Sequence, residues 1–361
     1  MTPFVPGMTL CEGFFRECAA PILAAHFPAL RCSAGLIGYG SDVIGCDDAV
    51  SADHMWGPRF YLFLDAADMP KKEAIFRALS EHLPCTYRGY SVNYTAPDPA
   101  DNGVQHPEFV EHGPVHPLVF IETFDDYLRG QLGTADPAAM TPAEWLAVSE
   151  HRLLSLVSGR FFADGLHLAA RLESIRFYPD VVQNYLIASN WDIIASEQAF
   201  IRRAADAGDE IGSRILTARI AERLMRLCFL YRRQYAPYSK WFGTLFKRLD
   251  IDPQIGASIG NALAAGDITA REDAIVEAQV HVARLHNKSG ITPPVDFAVE
   301  SYYGRAIKVI FADRFAEAAS ALLAGTPLEA VPLLGSLSQC GGLSNVSDDP
   351  ENYAKIAQLY R

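Results

Sequence analysis

No run of apolar residues in this sequence approaches the roughly 18 that a membrane-spanning helix needs, so no such segment is expected. The seven cysteines (Cys11, Cys18, Cys32, Cys46, Cys85, Cys228 and Cys340) form no Cys-x-x-Cys pair and are odd in number. A zinc ribbon or redox motif is therefore not expected, and the cysteines read as small buried apolar residues in a reducing compartment. Positive charge is in deficit: 31 Lys and Arg stand against 43 Asp and Glu, a net charge of -12. Such a chain repels a phosphate backbone on average, so non-specific nucleic-acid binding is not expected. The opening stretch MTPFVPGMTL has neither the basic nor the apolar segment of a signal peptide, which makes the cytoplasm the expected location. Internal repeats and low-complexity tracts are also missing.

What is present is globular. Half of the 361 residues are hydrophobic and 20% are charged, and the length suits two domains of roughly 100–200 residues. Residues 9–27 have helical periodicity with Thr9 as N-cap. Residues 34–37 read as a buried strand that ends in the turn Gly38-Tyr39-Gly40-Ser41. RFYLFL at 59–64 and LVFIET at 118–123 read as strands, with a helix from Pro70 to about His82 and an extended stretch at 85–94 between them. A loop rich in Pro, Gly and Asp fills 96–117. After the linker TADPAAMTPAEW the patterns are almost only helical, the strongest at 211–234, where Leu216, Ile220, Leu224, Leu227 and Tyr231 share one sector. The expected fold class is α+β: a mixed-sheet α/β domain over residues 1–135, followed by an α-helical domain over 136–361.

One candidate for chemistry lies at the first turn. A strand ending in Gly40-Ser41 lets backbone N–H groups approach an anion, and the Ser41 hydroxyl adds a donor. Asp53, entering the next strand, faces the same pocket if the two strands are neighbours. A carboxylate beside bound phosphates holds Mg²⁺, a hard ion that prefers oxygen, and the ion neutralises triphosphate charge. Three histidines, His106, His112 and His116, lie in the long loop, where prolines and missing cysteine partners favour an exposed loop over a zinc site.

The spacing from Gly40-Ser41 to Asp53 resembles the signature of the nucleotidyltransferase superfamily. The strings GSDVIGCDDAVSADHMWGPRFYLFL, RLMRLCFLYRRQYAPYSKWFG and VIFADRF resemble a bacterial family catalogued as domain of unknown function 4037, thought to be nucleotidyltransferase-like. The resemblance implies a nucleotidyltransferase-like first domain, an ATP-type or other nucleoside triphosphate as substrate, and Mg²⁺. In its terms Gly40 and Ser41 hold phosphate and Asp53 holds the metal. The second acid of the signature falls on Met55, whose thioether is a poor Mg²⁺ ligand. The third acid is matched by Phe120, with Glu122 two residues on along the same face, so Glu122 is the candidate catalytic and metal-binding partner of Asp53. Asp47 and Asp48, in the intervening loop, are the substitutes.

A second candidate lies on the 211–234 helix, where Arg219, Arg223, Arg226 and Arg233 share a sector beside the apolar stripe. The helix stops near Tyr235, Pro237 forces a turn, and Ser239-Lys240 begins the next element. Antibiotic adenylyltransferases look similar here, which implies that Lys240, with Ser239, reaches nucleotide phosphates from the second domain; Arg226 is a further candidate.

The expected function is binding of an ATP-type nucleotide with Mg²⁺ between the two domains, with transfer of a nucleoside monophosphate to a hydroxyl acceptor, in first place a small molecule. Met55 supports a second expectation, a catalytically degenerate nucleotide sensor or interaction protein. A third is a helical interaction module with a relic α/β half.

Overall fold

The computed structural model describes residues 4–52, 55–101, 103–340 and 349–361. In chain order the elements are α1 (Gly7–Phe14), α2 (Ala20–His26), β1 (Cys32–Leu36), β2 (Arg59–Leu64), α3 (Lys72–His82), β3 (Thr86–Tyr87), β4 (Tyr90–Ser91), β5 (Leu118–Glu122) and α4 (Phe124–Leu132). There follow α5 (Pro142–Ala147), α6 (Glu150–Val157), β6 (Arg160–Asp164), α7 (Ala169–Leu172), α8 (Asp180–Glu197), α9 (Phe200–Asp206), α10 (Glu210–Tyr231) and α11 (Ser239–Phe246). The last third holds α12 (Pro253–Ala264), α13 (Ile268–Ser289), the short hairpin β7 (Glu300–Ser301) and β8 (Lys308–Val309), and α14 (Asp313–Ser320). The chain is thus mixed α/β, with a mixed sheet of four strands.

Two compact units partition it: residues 1–139 with 152–176, and residues 140–151 with 177–361. The first holds the sheet, ordered β5-β2-β1-β6. β1 runs antiparallel to β2 and to β6, whereas β2 and β5 are parallel. One face of the sheet (Ala34, Leu36, Phe60, Leu62, Val119, Ile121) packs on α1 and α3 through Leu10, Phe14, Ile75 and Leu79. The other face carries an aromatic cluster in which Tyr61 and Phe63 meet Phe120, Phe124, Tyr127 and Phe161. Alternation along β2 assigns its residues to these two faces, as a strand buried on both sides requires.

The structure departs from the sequence expectations at particular places. The helix expected over 9–27 begins at Gly7, so Thr9 does not cap it, and a single π turn over Phe15–Ala19 separates α1 from α2. That irregularity sits just ahead of Pro21, which has no N–H to give to a continuous ladder. β6, with sequence RFFAD, lies inside the stretch expected to be helical; its identity as a strand comes from pairing with β1 rather than from local periodicity. Because β6 completes the sheet, the first unit is discontinuous in sequence instead of ending at a single cut near residue 135.

Candidate functional site

The turn after β1 is built from below by a buried ion pair. Arg59, at the start of β2, donates from both terminal nitrogens to Asp42, at 2.8 and 2.9 Å, and its Nη2 also donates to the Tyr39 carbonyl at 3.1 Å. Both side chains are almost fully buried. Burial works against the guanidinium charge, but the Asp42 carboxylate outweighs it and the Arg59 pKa is raised. Gly40 has φ +124°, and a Cβ there would collide with the Asp42 carboxylate and the Arg59 guanidinium. Gly38, at φ +84°, is held from the other side by Tyr127, whose hydroxyl donates to the Ile37 carbonyl at 2.9 Å. These glycines are required by the turn's own packing.

Above this base the backbone carries donors. Among the described residues no protein acceptor faces the N–H groups of Gly40 and Ser41. The half-buried Ser41 hydroxyl makes a long bond to the Ser51 carbonyl, 3.3 Å. The loop acids are committed elsewhere. Asp47 accepts from the Gly7 N–H at 2.6 Å and the Trp56 indole at 3.1 Å, and Asp48 accepts from the Val50 and Ser51 N–H groups at 2.9 and 2.7 Å. Asp47 thus binds the first residue of α1, and neither acid serves as the free carboxylate expected of a substitute metal ligand. Asp53, the first expected acid, lies outside the described residues, as does His54. Met55 is described, with φ +63°.

Glu122 does not join this turn. In the register of the parallel pair Arg59 stands opposite Leu118 and Glu122 opposite Phe63. Glu122 is therefore four residues further along the sheet than the arginine beneath the turn, about 13 Å at ~3.3 Å per residue. It borders instead a separate cavity of about 470 Å³ between β5 and α3, with Lys72, Phe76 and Ile121. Desolvation raises its carboxyl above the usual range; Lys72 pulls the other way and Asp126 adds to the rise.

In the second unit the arginine sector of α10 is spoken for. Arg226 pairs with Glu222 at 2.9 Å and Glu150 at 3.4 Å, donates to the Ser338 carbonyl at 3.1 Å and lies over the Phe242 ring at 5.2 Å. Arg219 pairs with Glu197, Arg223 holds the Gln339 carbonyl, and Arg233 bonds Asp180 and Gln183. Arg226 is thus a structural cation of this unit, not a free phosphate ligand. Glu150 is buried, which raises its carboxyl pKa against the pull of Arg226 and of the Ala236 N–H that it accepts. Ser239 and Lys240, by contrast, are exposed at the first turn of α11. Among the described residues the Lys240 ammonium has no carboxylate partner and sits 4.9 Å above the Trp241 ring.

The loop histidines do not assemble. His106 stands 3.6 Å from Asp101 and His116 packs on Phe76, and among the described residues no group of three His, Cys, Asp or Glu could hold a metal ion. Sequence reasoning missed Asp42, Arg59 and Glu150 as the residues that shape these two places. A signal existed for the first two: Asp42 directly follows Gly40-Ser41, and Arg59 closes the Trp-Gly-Pro-Arg string.

A mixed α/β sheet unit with a glycine-serine turn at the end of its first strand, and a mainly helical second unit, is the class that fold and site define. Residues 145–242 match a family model described as a domain of unknown function, DUF4037. The matched span takes in α6 to the start of α11, including Glu150, Arg226 and Lys240, and all but the last residue of the string RLMRLCFLYRRQYAPYSKWFG. The strings around Gly40-Ser41 and at 309–315 lie outside it. No curated protein matches the chain.

Proposed function

We propose that the chain is a nucleotidyltransferase-like protein that binds an ATP-type nucleoside triphosphate, with phosphate at the Gly40-Ser41 turn. The observation that carries this reading is the turn itself. Two adjacent backbone N–H groups have no protein acceptor among the described residues, and the buried Arg59–Asp42 ion pair holds the turn rigid beneath them. Adjacent backbone donors without a protein acceptor, held on a rigid base, suit an anion. Lys240 is proposed as a further phosphate ligand on its own grounds: an exposed ammonium, unpaired among the described residues, at the first turn of a helix.

The residues described do not fit the Mg²⁺ centre that the superfamily resemblance implies. Asp47 Oδ2 is taken by the Gly7 N–H and the Trp56 indole and Asp48 Oδ1 by two loop N–H groups, Met55 offers sulfur, and Glu122 is at the other end of β2. No step is therefore routed through a metal, and the reading favoured by Met55 is nucleotide binding with little or no transfer of a nucleoside monophosphate to a hydroxyl.

Isothermal titration of the full chain with ATP, with and without Mg²⁺, tests the proposal. Binding is expected in both conditions. Ser41→Ala should weaken it several-fold and Lys240→Ala about tenfold, the worth of one charge-assisted contact of ~1.4 kcal/mol. Absence of binding in both conditions sinks the reading, and rapid pyrophosphate release by the wild-type chain sinks its catalytically degenerate part.

A further inference from the structure

At the packed C-terminal ends of α2 and α3 two imidazoles lie in contact. His26 is the last residue of α2 and His82 the last of α3. Their ring centres are 4.5 Å apart with planes tilted by 52°. His82 Nδ1 lies 2.8 Å from the Ala78 carbonyl. A carbonyl can only accept, so Nδ1 is the donor and Nε2 is the nitrogen left to ligate. A backbone carbonyl on the second nitrogen is the arrangement that orients metal-ligating histidines.

We propose that His26 and His82 form a two-histidine site for a divalent transition ion of the Zn²⁺ or Ni²⁺ type. A metal–nitrogen bond of about 2.1 Å puts the ion about 3.2 Å from the centre of its imidazole; the tetrahedral angle would put two ring centres about 5.2 Å apart, whereas two rings cis on an octahedral or square ion, meeting it at about 90°, have centres about 4.5 Å apart. The observed separation is that value. Imidazole favours these ions over Mg²⁺ and Ca²⁺. Among the described residues no cluster of three or more suitable side chains exists, so water completes the coordination and the ion is exchangeable. Both histidines are exposed, which gives the ion a path in from solvent. Bound there, it ties the end of α2 to the end of α3 and stabilises the first unit by linkage.

The test is calorimetric titration of the full chain with NiCl₂ and ZnCl₂, without nucleotide, so that it is independent of the ATP reading. Wild type is expected to bind either ion. His26→Gln and His82→Gln should each weaken binding about tenfold or more, the least that loss of a ligand costs when loss of a ligand's supporting partner costs about that much. His281→Gln, on α13 of the second unit, should leave binding unchanged, and MgCl₂ should give no heat assignable to the pair. Matched far-UV circular dichroism of the variants confirms that they fold. Binding that survives both substitutions, or a wild-type chain that takes up neither ion, overturns the proposal.

Discussion

Met55 occupies a backbone conformation that its side chain disfavours. Its φ is +63°, in the left-handed region where Asn and Asp are several-fold enriched among non-glycine residues. An aspartate there fits the local backbone better than methionine does, and it supplies an acid that the proposed nucleotide reading lacks at this position. Met55→Asp should therefore cost little stability, raise the affinity for ATP selectively when Mg²⁺ is present, and raise pyrophosphate release above the wild-type background. Equal ATP affinity of variant and wild type in Mg²⁺ would show that the position does not face the nucleotide. Asp42 makes the opposite case. Asp42→Asn leaves the buried Arg59 guanidinium without its counter-charge, a loss of about 3–5 kcal/mol. Urea denaturation should show that loss, and ATP binding should weaken with it because Arg59 also holds the Tyr39 carbonyl of the turn.

Two pH effects belong to the elements that carry them. On β5, desolvation raises the Glu122 pKa, so its charged form is disfavoured in the folded chain. Its contribution is favourable below the usual carboxylate range and is lost as pH rises through the raised value. Glu122→Gln should thus raise the melting temperature at pH 8 and leave it nearly unchanged at pH 4. In the helical unit, a chain of hydrogen bonds links α8, α10 and α13. The Thr292 hydroxyl donates to the Pro293 carbonyl, so it accepts from His286 Nε2 at 2.7 Å. Nδ1 then accepts from Tyr231 at 2.8 Å, and the Tyr231 hydroxyl accepts from the Trp191 indole at 2.7 Å. Burial lowers the His286 pKa from 6.5 to about 4. A depressed histidine gives stability that is full above 6.5 and lost as pH falls toward 4. The loss is about 3 kcal/mol at ~1.4 kcal/mol per unit. Denaturant midpoints measured between pH 7 and pH 4 should fall in that window, and His286→Gln should flatten the decline. A variant with the same pH profile as wild type would assign the decline to other groups.

The whole chain is divided by contacts rather than by its order. The first unit takes back residues 152–176 after the chain has left it, because β1 requires β6 as its second neighbour. A fragment ending at residue 139 exposes the edge of β1, a row of unpaired N–H and C=O groups. That fragment should aggregate or melt at lower temperature than one ending at residue 176, which keeps β6. Equal melting temperatures for the two fragments would mean that β6 is dispensable for the sheet. The family match begins at Trp145 and ends at Phe242, so it spans both the returning segment and the helices of the second unit.

The sequence alone determined the elements whose signal is local. β2 and β5 are short runs of aromatic and branched residues, α10 shows apolar periodicity over 22 residues, and the turn after β1 announces itself by its glycines. Trp191, whose place in the helical pattern NYLIASNWDII fits a core position, is fully buried. Only the tertiary structure decided what depends on partners distant in sequence. RFFAD is a strand because β1 lies beside it, Glu122 is away from the turn because parallel register fixes its place along β2, and the arginines of α10 are occupied because carboxylates and carbonyls from other elements reach them. Periodicity reports which side of an element is apolar; it carries no information about which charged group another segment will bring to the opposite side.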